Sequence, residues 1–193
     1  MCIRDSNTIN IRLDVETISY ILEHSEAKVL ITDTELSLTV KKSLEKLNKD
    51  ILIIDIVDEM AVLPEGSGER LGKYEYEEFL NSGDPEFEFI MPSDEWDSIA
   101  LNYTSGTTGL PKGVVYHHRG SYLMSLGTVT ALSMPMHPTY MWIVPMFHCN
   151  GWGNPYTLTA LAGTSICMRY VSAKNMFDAI ADHKVCLLYT SDA

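Results

Sequence analysis

Apolar residues in the first sixty positions alternate between helical and strand spacing. The segment LDVETISYILEHSE (13–26) predicts a helix, because Asp14 can cap its first turn and Ile18, Ile21 and Leu22 share one face. Short apolar runs predict strands at KVLITD and ILIIDIV, with a second helix between them at TELSLTVKKSLEKLNK. Strands that alternate with helices are typical of an α/β domain with parallel pairing.

The alternation is interrupted by a loop without an apolar period, DEMAVLPEGSGERLGK, and it returns fully after an extended connection, NSGDPEFEFIMPSDE. Further strands are predicted at DSIALNYT, GVVYHH, YMWIVPMF and TSICMRY, and further helices at YEYEEFL, RGSYLMSLGTVTALSM, NPYTLTALAG and SAKNMFDAIADH. In the last helix Ser172 can cap the first turn, and Met176, Phe177 and Ile180 are expected to face inward. The whole pattern predicts an α/β fold with a parallel-type sheet flanked by helices.

The stretch YTSGTTGLPKG (Tyr103–Gly113) has the composition of a phosphate-binding loop. Glycines let backbone N–H groups converge on an anion, while hydroxyls and a lysine add further donors. It is not a Walker loop, because Leu110 and Pro111 separate Gly109 from the lysine and a strand-like run follows. We therefore expect the loop to join two strands. The candidate phosphate-binding residues are Thr104, Ser105, Gly106, Thr107, Thr108, Gly109 and Lys112.

The chain of 193 residues has a formal net charge of −12, but the loop lies in its less acidic half. Residues 1–97 include 23 acidic and 9 basic side chains, whereas residues 98–193 include 3 and 5. No Asp or Glu occurs between Asp97 and Asp178, so an anionic ligand at the loop meets no neighbouring like charge in sequence. The simpler interpretation of the acidic half is a charged surface exposed to solvent.

Composition excludes several classes of protein. No basic stripe predicts a nucleic-acid partner, and no apolar run approaches the roughly 18 residues of a membrane span. The four cysteines form no CxxC pair, which argues against a zinc site or a disulfide framework. We therefore expect a reducing, cytoplasmic setting.

Two motifs carry a resemblance to a known family. YTSGTTGLPKGV resembles the phosphate-binding signature of the adenylate-forming (AMP-binding) enzymes, and PMFHCNGW (145–152) resembles their acyl-pocket motif. Together with INIRLDVETISYILEHSEAKVLITD, these segments are similar to the medium-chain fatty-acyl-CoA ligases, the acyl-CoA synthetase branch that includes methylmercaptopropionate-CoA ligases. The resemblance covers residues 7–185 and implies part of the large N-terminal domain of such an enzyme.

The resemblance implies a ligase reaction in two steps. A carboxylic acid would attack the α-phosphate of ATP, with Mg²⁺, and coenzyme A would then displace AMP from the acyl-adenylate. Residues 104–109 would surround the β- and γ-phosphates, with Thr104 as a magnesium ligand and Lys112 as a clamp on the leaving pyrophosphate. His148 would lie between the nucleotide and acyl sites as a candidate catalytic residue. The acyl pocket would be shaped by His148, Gly151 and Trp152.

The sequence also departs from the family pattern. It contains no Y-G-x-T-E motif, whose glutamate binds magnesium, and the ribose-binding aspartate, the hinge and the lysine of the mobile C-terminal domain are absent. We therefore expect an internal fragment at 7–185 that needs the remainder of its own polypeptide and makes no acyl-adenylate alone. Residues 1–6 and 186–193 are expected to be non-native ends. Two alternatives stay open: an adenylation domain that loads a carrier protein, and a non-catalytic nucleotide-binding remnant.

Other polar residues have simpler interpretations beside the functional ones. His117 and His118 could reach a phosphate, but a pair at the surface end of a strand is favoured. His148 could instead be a core histidine. Four methionines could line a lipid pocket or fill a core: Met134, Met136, Met141 and Met146.

Overall fold

A computed structural model of the chain describes residues 6–104 and 109–188. The fold is α/β, as the sequence predicts, and the chain divides into two compact units. The N-terminal unit comprises the described residues of Ile9–Met91 and Tyr103–Gly113. The C-terminal unit comprises those of Met1–Thr8, Pro92–Asn102 and Val114–Ala193.

A parallel sheet in the order β1-β2-β3 organises the N-terminal unit. Its elements are α1 (Val15–His24), β1 (Val29–Asp33), a 3₁₀ turn (Thr34–Leu36), α2 (Ser37–Leu44), β2 (Leu52–Ile56), β3 (Tyr74–Glu75) and α3 (Tyr76–Asn81). Helix α1 begins where predicted, because the Asp14 carboxylate accepts a hydrogen bond of 2.7 Å from the Thr17 N–H. The predicted apolar face is buried, with Ile21 and Leu22 each 1% exposed.

A buried carboxylate stabilises the chain around β2. Asp55 is fully buried, and its two oxygens accept hydrogen bonds of 3.1 and 2.7 Å from the N–H groups of Leu71 and Gly72. The carboxylate thus satisfies two backbone donors of the segment that precedes β3. An alternating pattern alone does not predict this, because an aspartate in a strand is usually assigned to the solvent face.

Strands β4 (Ser98–Thr104) and β5 (Lys112–His117) form a two-stranded sheet. The connection between them is too short for a parallel crossover, so the strands run antiparallel. This confirms that YTSGTTGLPKG joins two strands. On the other edge, Ser6 forms a parallel bridge with Ala100.

A second parallel sheet, in the order β7-β6-β8, organises the C-terminal unit. The elements that follow β5 are α4 (His118–Ala131), β6 (Thr139–Trp142), α5 (Cys149–Trp152), α6 (Asn154–Ala160), β7 (Thr164–Cys167), α7 (Ala173–His183) and β8 (Leu187–Leu188). Its core comprises Met134, Tyr140, Trp142, Leu158 and Leu161. Within this core the Asn154 side chain donates a hydrogen bond of 3.0 Å to the Tyr140 hydroxyl. None of the helices in the described residues is long and apolar enough to span a bilayer.

Several elements differ from the prediction, and three of them show the physical reason. Helix α2 ends at Leu44, where the sequence becomes polar, rather than at position 49. Strand β6 ends at Trp142, three residues before Pro145, which has no N–H to continue a ladder. In α7 the cap at Ser172 is confirmed, but the inward placement of Phe177 is wrong, since this ring is 73% exposed.

The buried carboxylate of β2 yields a first prediction. Replacement of Asp55 by alanine leaves two buried N–H groups without their charged acceptor. Hydrogen bonds to charged groups contribute about 1.5–3 kcal/mol each, so we expect the free energy of unfolding to fall by about 3 kcal/mol or more. Urea unfolding of the purified chain measures this.

The matched control is Asp50→Ala, because Asp50 is exposed in the loop before β2. This change should alter stability by no more than about 0.5 kcal/mol. Equal losses in the two variants would contradict the anchoring role of Asp55.

Candidate functional site

The phosphate loop (Tyr103–Gly113) is described only at its ends. Ser105, Gly106, Thr107 and Thr108 lie outside the described residues, as do residues 1–5 and 189–193 of the predicted non-native ends. Thr104 closes β4 and Lys112 opens β5, so the hairpin brings these two ends of the loop to one edge of its sheet. Both residues and Gly109 are exposed, and within 6–104 and 109–188 no carboxylate pairs with Lys112. The lysine is therefore accessible to an anion from solvent.

An aromatic cluster in the N-terminal unit anchors the strand end that leads into the loop. The Tyr103 hydroxyl is 2.7 Å from Nδ1 of His24, and Tyr20 meets the Tyr103 ring edge to face at 6.4 Å. Burial raises the pKa of Tyr103 above its ordinary value, and Tyr20 adds to the rise, so the phenol keeps the proton that it can donate to His24. Sequence reasoning missed this contact, since positions 24 and 103 share no motif.

His117, the last residue of β5, caps the helix that follows. Nδ1 of His117 accepts a hydrogen bond of 3.0 Å from the Gly120 N–H and so caps α4, which in a neutral ring places the proton on Nε2. The His117 ring also lies 4.7 Å from the ring of Trp96. His117 is therefore a helix cap, and the sequence signal was its place directly before the helix.

The acyl motif (145–152) contains a left-handed turn that the sequence pattern did not predict. The φ angles of Cys149, Asn150, Gly151 and Trp152 in α5 are 48°, 48°, 60° and 57°, and Gly153 follows at 71°. For residues other than glycine a left-handed helical conformation costs about 1–2 kcal/mol each. Contacts with the rest of the C-terminal unit must offset that cost.

Gly151 is the residue around which this turn packs. A Cβ atom added at Gly151 would lie 2.8 Å from Cζ3 of Trp142, a ring in the core of the C-terminal unit. Only a residue without a side chain fits between that ring and the turn. The contribution of Gly151 to an acyl pocket stays a prediction.

Two tyrosines contact the turn from its sides. Burial raises the pKa of Tyr116, and the neighbouring Cys149, with which it shares a hydrogen bond, adds to the rise. Burial also raises the pKa of Tyr156, and a hydrogen bond with Asn150 acts in the opposite direction.

His148 and Trp152 lie together at the surface of the C-terminal unit. Their ring centroids are 6.3 Å apart and their planes are inclined by 80°, an edge-to-face arrangement. Both side chains are exposed, so the alternative of a core histidine is wrong for His148. The pair supplies an apolar surface that a substrate can reach. The phosphate loop belongs to the other unit.

A mainly apolar cavity of about 200 Å³ lies between β5 and α4 of the C-terminal unit. Met124 forms part of its wall, and its Cε atom lies 2.0 Å from where a Cβ of Gly153 would be. Met124 is not among the four methionines for which the sequence suggested a lipid pocket or a core. Of these, Met134 and Met141 are buried, whereas Met136 and Met146 are exposed.

The described residues do not form a complete magnesium site. No group of three or more His, Cys, Asp or Glu side chains that could hold a metal occurs in the part of the chain that the structure describes. Thr104 supplies one neutral hydroxyl, whereas Mg²⁺ is usually held by one or two carboxylates together with substrate phosphates.

The contact between Gly151 and Trp142 yields a second prediction. We expect Gly151→Ala to lower the free energy of unfolding by about 2–4 kcal/mol, because overpacking costs about 1–3 kcal/mol and a left-handed alanine about 1–2 kcal/mol. Gly127→Ala is the matched control, since Gly127 is exposed in α4 with no atom within 4 Å of an added Cβ. The control should raise stability by about 0.5–1 kcal/mol. A neutral Gly151→Ala variant in urea unfolding would contradict the packing argument.

Curated relatives of the chain are coenzyme A ligases. An acetate/butyrate–CoA ligase of Arabidopsis thaliana, named as peroxisomal, is 43% identical over 195 residues, which cover 96% of this chain and 34% of the relative. An acetate–CoA ligase of Humulus lupulus is 43% identical over 188 residues, which cover 93% of this chain and 33% of the relative. The chain thus spans about a third of the length of these relatives.

Solved structures share the fold at lower identity. A Mycobacterium tuberculosis fatty acyl CoA synthetase aligns with a TM-score of 0.73 and 21% identity, covering 93% of this chain and 32% of that one. The Bacillus subtilis O-succinylbenzoate coenzyme A synthetase, in complex with ATP and magnesium ion, aligns with a TM-score of 0.69 and 21% identity, covering 93% and 32%. The family model described as AMP-binding enzyme matches residues 6–192. The chain therefore belongs to the AMP-binding enzyme family, as its two motifs predict.

Proposed function

We propose that the chain is part of an AMP-forming acyl-CoA ligase. Such an enzyme activates a carboxylic acid with ATP to an acyl-adenylate and transfers the acyl group to coenzyme A. The observation that carries the proposal is the exposed Lys112 at the end of a Gly/Thr/Ser loop between two strands. The names of the relatives, which are coenzyme A ligases, support the same reaction.

The phosphate loop would act by position and charge. A carboxylate is ionised at neutral pH, so its attack on phosphorus needs no general base. The loop hydroxyls and backbone N–H groups at 104–109, with Lys112, would stabilise the charge that develops on the leaving pyrophosphate. Magnesium stays a prediction, with Thr104 as one proposed oxygen ligand.

His148, Gly151 and Trp152 would form one wall of the acyl site. The edge-to-face ring pair is an accessible apolar surface, which suits a hydrocarbon chain beside a carboxylate. Three relatives are named for short acids, namely acetate, butyrate and 2-methylpropanoate, and another is named for trans-cinnamate. We propose a short or medium fatty acid as substrate and fatty acid metabolism as the setting.

The location and the partners are part of the proposal. Cys149, Cys167 and Cys186 are free thiols, which favours a reducing compartment, and we propose the cytoplasm. The Arabidopsis relative is named as peroxisomal, so fractionation of the native cells is the appropriate measurement. We expect small-molecule partners and no nucleic acid.

Two alternatives to a coenzyme A ligase stay open. One differs in the acyl acceptor, and the other lacks catalytic activity. A carrier-protein-loading adenylation domain and a non-catalytic remnant would both retain the phosphate loop. The flanking DNA separates the remnant from an enzyme, since an in-frame Y-G-x-T-E motif downstream favours an enzyme. The surfaces for carrier docking and thiol access would distinguish a carrier-loading domain from a coenzyme A ligase. The division of the chain at residues 7–185 stays a prediction that the same sequencing tests.

The proposed function is tested in a chimera, because the chain spans a third of its relatives. Residues 7–185 replace the matching third of the Arabidopsis acetate/butyrate–CoA ligase, and acid-dependent ATP–pyrophosphate exchange and thioester formation are measured. The chimera should be active, whereas the 193-residue chain alone should show no exchange above a heat-killed control. A folded chimera that is inactive with every acid would overturn the proposal and favour the remnant.

Lys112→Ala in the active chimera is expected to slow adenylation by about 10²–10³-fold, the usual loss when one stabilising group of a transition state is removed. The matched control is Lys42→Ala, which removes an exposed lysine from α2 of the same unit and should leave the rates unchanged. Unchanged ATP kinetics in Lys112→Ala would exclude the lysine as a phosphate clamp.

Trp152→Ala in the chimera is expected to change the preference among acids of different chain length more than the KM for ATP. The reason is that the exposed ring faces solvent beside His148 and does not lie on the phosphate loop. Trp96→Ala removes another exposed tryptophan of the same unit and should keep the preference. An equal loss for all acids, with a raised KM for ATP, would contradict the acyl-side assignment.

A further inference from the structure

Thr8, a residue outside both motifs, lies at the centre of a polar cluster. The Thr8 Oγ1 atom is 2.8 Å from Asn150 Oδ1, 3.1 Å from Asn102 Oδ1 and 3.3 Å from the Phe147 carbonyl oxygen. Asn102 and Asn150 are only 7% and 6% exposed. Thr8 thus connects a residue of β4 with two residues of the acyl motif, all within the C-terminal unit.

The single proton of the Thr8 hydroxyl limits the hydrogen bonds that this cluster can form. A threonine hydroxyl has one proton to donate, so it can satisfy only one of its three acceptors, and the shortest contact is with Asn150. Nδ2 of Asn102 is buried and has no hydrogen-bond partner among the described residues. A half-turn of the Asn102 amide exchanges its oxygen and nitrogen and lets the N–H donate to Thr8 Oγ1. The hydroxyl then both accepts and donates.

The resulting chain of hydrogen bonds ends on the left-handed turn. With that amide turned, it runs from the Asn102 amide to the Thr8 hydroxyl and then to Asn150 Oδ1. Asn150 has φ 48° and ψ 49°, a conformation that its own backbone does not favour. The hydrogen bond from Thr8 therefore holds the Asn150 side chain while the backbone stays left-handed.

We propose that Thr8 is a positioning residue for the acyl side of the site: its hydroxyl holds Asn150 in the left-handed turn and thereby sets the orientation of the His148 and Trp152 rings. Thr8 acts on the two rings through the turn that separates them. The functional consequence rests on the proposed ligase activity, whereas the geometric consequence does not.

The geometric test uses the complete 193-residue chain. Its three tryptophans give three indole N–H signals in a ¹H–¹⁵N NMR spectrum, and loss of one signal in Trp152→Phe assigns Trp152. Thr8→Val keeps the shape of the side chain and removes the hydroxyl, so the Trp152 signal should shift while the Trp96 signal stays. Thr8→Ser keeps the hydroxyl and should restore the original position. A folded Thr8→Val chain with an unmoved Trp152 signal would overturn the proposal.

A second measurement uses the unmodified chain, so it tests the proposal even if the Thr8→Val chain fails to fold. In the unmodified chain the Thr8 hydroxyl proton should give a slowly exchanging resonance with a cross-peak to the Asn150 side chain. A folded chain in which this hydroxyl exchanges with water as fast as an exposed threonine would overturn the proposal.

The functional test uses the active chimera. Thr8→Val should lower kcat/KM for the acid several-fold, leave the KM for ATP unchanged, and be rescued by Thr8→Ser. An equal loss of kcat/KM for the acid and for ATP, or the same loss in Thr8→Ser, would indicate a general structural effect and contradict the proposal. An inactive parent chimera would count against the ligase assignment alone, because the NMR tests of Thr8 are independent of activity.

Discussion

The left-handed turn at Cys149–Trp152 is the constraint on which the candidate acyl side depends. Consecutive positive φ angles are unfavourable for cysteine, asparagine and tryptophan, so the turn persists only where surrounding contacts fix it. The main contact that fixes the turn comes from Trp142, because its ring fills the space that a side chain at Gly151 would need. That ring is itself held in the core with Tyr140 and Leu158, so the geometry of the exposed His148–Trp152 pair depends on core packing.

The phosphate loop depends on a different principle. Its ends are open to solvent, and the ligand rather than the protein interior would satisfy their donors. The strand that leads into the loop is held by the Tyr103–His24 contact. Exposed loop ends beside an anchored strand suit an anion site. The exposed donors would stay hydrated until a phosphate replaced the water, and the anchored strand would limit the entropy lost on binding.

The helix caps were accessible to sequence reasoning because they are local. Asp14 and Ser172 cap their helices as predicted, since a cap needs only the residues within one turn of it. Phe177 shows where the reasoning fails: a helical period identifies an apolar face, but whether anything covers that face depends on other segments. Likewise, the apolar run after Thr139 reads as one long strand, whereas the chain leaves the sheet after Trp142.

The sequence by itself determined the α/β class, the loop between two strands and the family, because spacing and residue type within a short stretch carry that information. Tertiary structure alone decided the handedness of the acyl motif and the partners of Asn150. The hydrogen bond from Thr8 to Asn150 joins residues 142 positions apart, and the two residues share no pattern. The physical reason is that a strained backbone and a shared hydroxyl proton are favourable only once distant segments have packed and excluded water around them.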